Sequence, residues 1–181
     1  MMTWRSMEVE RCRDRSERAV IVLATGFGLG LAPLASGTAG TLPGILLVLA
    51  LNVFTLPFQI TAAIALVLLA IPLCGAAEKH FRHKDDGRIV ADEYMTFPIC
   101  MLGLPPEPWL LAIAFVVSRG FDIVKLPPAR QWQRWRGGAG IVVDDVVACL
   151  QTLAVMHLLY WAVRPAQSYV QIVFTAFQNA V

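Results

Sequence analysis

Charge is what this chain has least of: 15% of its 181 residues are Asp, Glu, Lys or Arg, against roughly 25% in soluble globular domains. That shortage, beside a 57% apolar content, points away from an ordinary soluble globule and toward an integral membrane protein. An excess of one sign is missing too. Fifteen basic and thirteen acidic residues leave a net charge of +2, which gives a nucleic-acid partner no electrostatic support. The four cysteines (Cys12, Cys74, Cys100, Cys149) show no CxxC spacing, which excludes a disulfide framework and a zinc centre. Cys74, Cys100 and Cys149 lie in apolar surroundings and are read as buried structural thiols. Histidine is nearly as scarce. His80 and His83, three apart, match no standard zinc motif and read as interfacial polar residues, and His157 reads as a hydrogen-bonded core histidine. No Ser–His–Asp set, no cysteine with a phosphate-loop arginine and no DxD motif is present, so covalent phosphoenzyme routes find no candidate nucleophile. A cleavable leader is not expected either: the first apolar run begins only at Ala19 and leads into Gly/Thr-rich sequence, so the N-terminus is expected to stay attached and cytoplasmic.

What is present is a set of apolar runs separated by polar stretches. Residues 1–18 form a charged N-terminal segment with five arginines and four acids, expected as a short interfacial helix. Residues 19–163 are expected as one membrane-embedded domain, and 164–181 as an apolar tail at the interface. Ala19–Leu34 is broken by Gly26, Gly28, Gly30 and Pro33. Leu42–Leu56 and Phe58–Ala77 are hinged at Pro57, and the second run is about 20 residues long, enough to cross a hydrocarbon core of roughly 30 Å. Pro105, Pro106 and Pro108 divide Tyr94–Ser118, which suggests a re-entrant hairpin or a kinked span. Ile141–Val163 is the last long run. Lys and Arg concentrate in the N-terminal segment, in Glu78–Glu93 and in Arg119–Arg136. The positive-inside rule puts these three stretches on the cytoplasmic side. The expected fold is therefore all-α: a polytopic helical membrane protein with broken or re-entrant helices and a site at its cytoplasmic face.

The acids gather at that same face. Asp85, Asp86, Asp92, Glu93, Asp122, Asp144 and Asp145 sit in or beside apolar sequence, where an ionised carboxylate is costly and marks a functional site by default. Converging carboxylates suit a hard divalent cation such as Mg²⁺. Asp85, Asp92, Glu93, Asp122, Asp144 and Asp145 are the candidate ligands, with Asp92, Glu93 and Asp145 the foremost catalytic candidates. Each cluster has a plainer reading. Lys84–Glu93 would serve as a solvated loop. Arg119, Asp122 and Lys125, at i, i+3 and i+6, would form surface ion pairs worth a few tenths of a kcal/mol. Asp144-Asp145 would complement a helix dipole, a term under about 1 kcal/mol and too small to draw two carboxylates toward lipid. With the neighbouring acids, Lys125 becomes a phosphate-binding cation. The loop Ser36–Gly44 offers Gly37, Thr38, Gly40 and Thr41 as N–H and hydroxyl donors to a phosphate, although small residues also serve close helix packing. Gly138, in the glycine-rich turn before Ile141, offers a backbone N–H to an anion.

In order along the chain, Ala24-Thr25-Gly26-Phe27-Gly28-Leu29-Gly30, Gly37-Thr38-Ala39-Gly40-Thr41, Lys84-Asp85, Asp92-Glu93, Phe121-Asp122-Ile123-Val124-Lys125, Pro128 and Gly137–Ala148 resemble the phosphatidylglycerophosphatase A family of bacterial membrane lipid phosphatases. The resemblance covers about residues 20–150 and, with its motifs in order, is specific. It implies Mg²⁺-dependent removal of the terminal phosphate of phosphatidylglycerophosphate to give phosphatidylglycerol, in phospholipid biosynthesis. It also implies a helical fold in the bacterial inner membrane with the site facing the cytoplasm. The chain departs from the family's pattern at Ser36 and Leu126, where prolines are usual, at Gln133, where an acid is usual, and at Thr96 and Cys149, where glycines are common. Two other readings compete. A CDP-alcohol-type lipid phosphotransferase also gathers acids at a membrane face, but of its pattern only Asp86-Gly87 is present. A cation or proton transporter would line a pathway with acids, but through the bilayer depth rather than at one side.

Overall fold

The computed structural model describes residues 15–33, 35–83, 86–124 and 137–178, with side chains described up to residue 164. Among the described residues, six α-helices and two 3₁₀ turns account for the regular structure and no strand occurs. The helices are α1 (Arg15–Ala24), α2 (Ser36–Leu51), α3 (Leu56–Phe81), α4 (Ala91–Thr96), α5 (Pro108–Val124) and α6 (Gly138–Gln178). The 3₁₀ turns are Leu29–Leu31, ahead of α2, and Phe97–Met101, continuing α4. The all-α class is thus as the apolar periodicities predict.

Helices α3 and the Gly138–Arg164 part of α6 are long and apolar enough to cross a bilayer. They are not core helices of a soluble globule: only 22% and 28% of their most apolar stretches are buried. Ile60, Ile64, Leu68 and Leu69 on α3, and Leu150, Leu158 and Trp161 on α6, are exposed. Large apolar side chains left outside in rows of this kind mark a surface that meets something other than water.

Proline sets two of the boundaries. Pro57 occupies the first turn of α3, where its missing N–H costs nothing. Pro105, Pro106 and Pro108 end the first half of the 94–118 run, and Pro108 opens α5. The two halves are unequal. The first is a single short helix tightened into the Phe97–Met101 turn, whereas α5 runs on through Arg119 to Val124, so the polar stretch expected to begin at Arg119 starts inside a helix. Likewise α6 continues without interruption past Arg164 and Pro165.

The glycine- and hydroxyl-rich stretch expected as a loop is instead the beginning of α2. Ser36–Gly44 is helical throughout, because each glycine is needed for close approach to a neighbour rather than for turning. A methyl group on Gly40 would fall 2.4 Å from Val90 Cβ, and one on Gly44 would fall 2.7 Å from Phe97 Cβ. Helix α2 thus lies directly on α4 and its 3₁₀ extension, the small-residue packing common between membrane helices.

The core has two parts. One joins Val48, Phe97, Cys100, Met101, Leu110, Ala114 and Met156; the other joins Ile21, Ala70, Cys74, Tyr94, Met95, Ile141 and Val142. The three described cysteines are buried free thiols, as expected. The helices alternate in direction, so two ends are distinct. At one end the Leu102–Leu104 turn is tied down by Asn52 Nδ2 donating to Leu104 O (2.9 Å), Gly103 N donating to Gln59 Oε1 (3.4 Å) and a hydrogen bond between His157 Nε2 and Leu102 O (3.0 Å). His157 is therefore the hydrogen-bonded histidine its apolar setting implies. The acids lie at the other end.

Candidate active site

Four elements meet at that end: the start of α4, the last turns of α5 and the first turns of α6 carry acids, and the start of α2 lies against them. Their placement begins with the segment entering α4. Asp86 accepts from Arg88 N (3.0 Å), Nε (2.8 Å) and Nη2 (2.8 Å), and the Arg88 guanidinium lies 4.0 Å over the Phe81 ring at the end of α3. Val90 N donates to Ala24 O at 2.9 Å, Val90 packs into Gly40, and Tyr94 Oη donates to Leu23 O at 3.0 Å. Asp92 and Glu93 follow on a first turn that these contacts fix.

Glu93 Oε2 accepts from Thr41 Oγ1 at 3.0 Å and pairs with Arg119 Nη1 at 2.7 Å. Arg119 Nη1 also donates to Thr41 Oγ1 at 3.0 Å, and Nη2 pairs with Asp122 one turn further along α5. Thr41 Oγ1 also lies 2.9 Å from Gly37 O, so its one proton is shared between that carbonyl and Glu93. A Cβ at Gly37 would stand 2.4 Å from Glu93 Oε1, so the glycine is what lets α2 lie against this carboxylate. Behind the network are Asp92, Asp144 and Asp145, each buried. The carboxyls of Asp92 and Asp145 lie near one another, and Asp92 Oδ1 and Asp145 Oδ2 have no hydrogen-bond partner. A void of about 20 Å³ lies among Thr41, Glu93, Arg119, Asp122, Asp145 and Cys149, room for about one water.

The electrostatics would suit a cation. Burial, and next the charge of Glu93, push the Asp92 carboxyl well above the usual range. Burial also raises Glu93, to about 7, although Arg119 and the Thr41 hydroxyl oppose it. Two carboxyls buried side by side repel one another when both are ionised, a repulsion that a divalent cation between them would offset. The donor chemistry fits Mg²⁺, since the buried unpartnered atoms are hard carboxylate oxygens. Among the described residues, however, no three His, Cys, Asp or Glu side chains stand together as a metal cage. Mg²⁺ does not require one: it is commonly held by one or two carboxylates, with waters and substrate phosphate completing the shell.

The structure thus assembles five of the six expected metal ligands, Asp92, Glu93, Asp122, Asp144 and Asp145, at one end of the bundle. Asp85 and Lys125 lie outside the described residues, as do Leu126 and Gln133. Thr41 and Gly37 touch the site, whereas Gly40 meets Val90 and Thr38 is exposed at the start of α2. A Cβ at Gly138 would lie 1.9 Å from Ile71 O, so this glycine packs α6 onto α3. Arg119 is the functional residue that sequence reasoning passed over. Its spacing to Asp122 was visible, but its contact with Glu93 and Thr41 depends on how α2 and α4 dock. Thr96 and Cys149, the two positions where glycines are usual, meet one another: Cys149 Sγ lies 3.5 Å from Thr96 Oγ1.

The described residues thus form a helical protein with two helices long and apolar enough to cross a membrane and a buried carboxylate–guanidinium cluster at one end. Residues 22–160 match the family described as phosphatidylglycerophosphatase A. The chain belongs to that family and, with it, to the lipid phosphatases. Among curated proteins it is 31% identical over 159 residues to phosphatidylglycerophosphatase A of Escherichia coli (strain K12), covering 86% of this chain and 91% of the relative. To the Haemophilus influenzae protein of the same name it is 33% identical over 144 residues, covering 77% and 88%. To a Bacteroides thetaiotaomicron protein provisionally named a phosphatidylinositol-3-phosphatase it is 34% identical over 151 residues, covering 79% and 94%. No solved structure matches the chain.

Proposed function

We propose that this protein is a Mg²⁺-dependent phosphatidylglycerophosphatase of the bacterial inner membrane, hydrolysing the terminal phosphomonoester of its lipid to phosphatidylglycerol and phosphate. The observation that carries the reading is the buried Asp92–Asp145 pair with its unpartnered oxygens, set in a chain of this family. When bound, the metal would supply charge neutralisation on the phosphoryl oxygens and a water of lowered pKa. Asp92 and Asp145 would hold it, with Glu93, Asp122, Asp144 and Asp85 as further oxygen donors. Arg119 and Lys125 would bind and orient the phosphomonoester dianion, and Thr41 would keep Glu93 and Arg119 in register. The exposed apolar faces of α3 and α6 let the acyl chains stay in the bilayer while the headgroup reaches the site. The phosphotransferase and transporter readings find no support in a chain of this family.

The test is phosphate release by detergent-solubilised protein from phosphatidylglycerophosphate, phosphatidic acid and phosphatidylinositol 3-phosphate, with Mg²⁺ or EDTA. Turnover is expected to be highest on phosphatidylglycerophosphate and lost in EDTA. Asp145→Asn should lose at least about 100-fold, the equivalent of roughly 2.7 kcal/mol of transition-state stabilisation. Lys125→Ala should lower kcat/KM by about 1.5–3 kcal/mol, the worth of a charge-assisted hydrogen bond. Near wild-type hydrolysis by Asp145→Asn, with and without EDTA, would end the metal reading, and preference for either other lipid would reassign the substrate.

A further inference from the structure

Arg119 holds a position that a phosphatase site needs to change. Its guanidinium is bound on one side by Glu93 and on another by Asp122, with Thr41 Oγ1 at 3.0 Å and Gly37 O at 3.5 Å completing its contacts. All three ionic side chains are largely buried, with exposures of 15% for Arg119, 13% for Glu93 and 21% for Asp122. The charge of Arg119 is also felt by Asp145 and Asp92 across the small void. This one guanidinium is therefore the local counter-charge to several buried acids.

We propose that Arg119 is a built-in counter-cation that couples binding of the divalent metal to binding of the phosphomonoester, each ligand removing the obstacle to the other. The proposal rests on the metal-dependent phosphatase reading above. Three observations lead to it. First, Glu93 and Asp122 face Arg119, and among the described residues no three acids form a cage. A cation held by Asp92 and Asp145 gains a further carboxylate only by drawing Glu93 or Asp122 from Arg119, which leaves a buried guanidinium short of a partner and is costly. Second, a phosphate dianion arriving alone would meet carboxylates already paired to the only nearby guanidinium among the described residues. Third, the void among these residues holds about one water at about 20 Å³, so a phosphoryl group enters only if a side chain yields. Arg119 is the long one at that wall, and its planar fork suits phosphate as well as carboxylate. With both ligands present, the guanidinium passes from the carboxylates to the phosphate. The freed carboxylate oxygens turn to the metal, and no buried charge is left alone.

Linkage makes the coupling reciprocal, and couplings of this kind amount to about 5- to 150-fold. The experiment titrates Mn²⁺, a paramagnetic stand-in for Mg²⁺, into detergent-solubilised protein and follows free Mn²⁺ by electron paramagnetic resonance. It is done with and without sn-glycerol 3-phosphate, a soluble phosphomonoester. Wild-type protein is expected to bind Mn²⁺ at least about fivefold more tightly when glycerol 3-phosphate is present. In Arg119→Gln, Mn²⁺ alone should bind more tightly than to wild type, and glycerol 3-phosphate should change its affinity less than about twofold. Arg119→Lys keeps the charge without the fork and should show reduced coupling; it serves in place of Arg119→Gln if that variant does not fold. Mn²⁺ binding by wild type that ignores glycerol 3-phosphate overturns the coupling, as does an Arg119→Gln or Arg119→Lys protein with the full wild-type response; both leave the phosphatase reading standing. Absence of Mn²⁺ binding in every arm, together with hydrolysis that survives EDTA, removes the metal reading itself.

Discussion

Gly37 and Gly40 stand three residues apart on one face of α2, yet a methyl group would meet different things at the two positions. At Gly40 it would strike all three described atoms of the Val90 side chain, from 2.4 to 2.8 Å, on a segment whose backbone is bonded to Ala24. Nothing there yields easily, so Gly40→Ala should destabilise the fold by about 1–3 kcal/mol, the range for overpacking a filled core. At Gly37 the methyl would meet Glu93 Oε1 at 2.4 Å, the far end of a side chain that can swing. Gly37→Ala should therefore melt close to wild type while losing turnover, because Glu93 leaves Thr41 and Arg119. Thermal unfolding beside phosphate release on both variants checks the pair; a destabilised Gly37→Ala with normal specific activity would refute the distinction. The acids were legible from sequence because ionised groups in apolar surroundings are rare enough to stand out. The glycines were legible as special, but their use was not. A glycine needed for close packing and one needed for a phosphate loop look the same in one dimension, and only Val90 and Glu93, some fifty residues away, decide between them.

At the scale of elements, the short link from α3 to α4 governs the site. It turns the chain from Phe81 back into the bundle and must present Asp92 and Glu93 at a fixed angle. Asp86 and Arg88 close it from within, and Phe81 takes the guanidinium on its face. Burial works against the charge on Asp86, but the hydrogen bonds and charge of Arg88 outweigh it and hold the carboxyl below its usual range. The sign follows from that direction. The contribution of Asp86 is fully present above the unfolded carboxyl pKa of about 4 and is lost as pH falls through the lower folded value. Wild type should therefore melt above Asp86→Asn by a constant margin from about pH 7 to pH 5, and the margin should shrink below about pH 4. A margin that does not depend on pH would show that the carboxylate's charge contributes nothing to this link. Sequence carried α3, α5 and α6 well because each has a long apolar run with a proline or glycine at its start. It misjudged the start of α2, where helix packing overrides the loop tendency of glycine and threonine, but the helical stripe of Arg119, Asp122 and Lys125 was legible, and α5 carries its first two members. The apolar pattern stops at Ser118, but the helix continues because Arg119 and Asp122 find partners inside the bundle.

Across the whole molecule, the distribution of basic side chains predicts which way the site faces. Lys79, Arg82, Arg88 and Arg119 lie at the end that holds the acids, whereas the turns at the opposite end, residues 52–55 and 102–107, contain no Lys or Arg. Short loops rich in Lys and Arg stay on the cytoplasmic side, so the site should open to the cytoplasm and the Asn52–Thr55 turn to the periplasm. Helix α6 is consistent in length: 41 residues at 1.5 Å each make about 60 Å, twice a hydrocarbon core of roughly 30 Å. Its acidic first turns and its C-terminal part therefore cannot both lie within the bilayer. A single-cysteine experiment decides the orientation. Cys12→Ser removes the cysteine of the N-terminal segment, and Cys74, Cys100 and Cys149 are closed to reagent by their burial. In that background, Val53→Cys, at an exposed position of the α2–α3 turn, should react with a membrane-impermeant maleimide applied to spheroplasts. His83→Cys, exposed beyond the end of α3, should react only after the membrane is permeabilised. The reverse pattern would turn the molecule over and place the carboxylates on the periplasmic side.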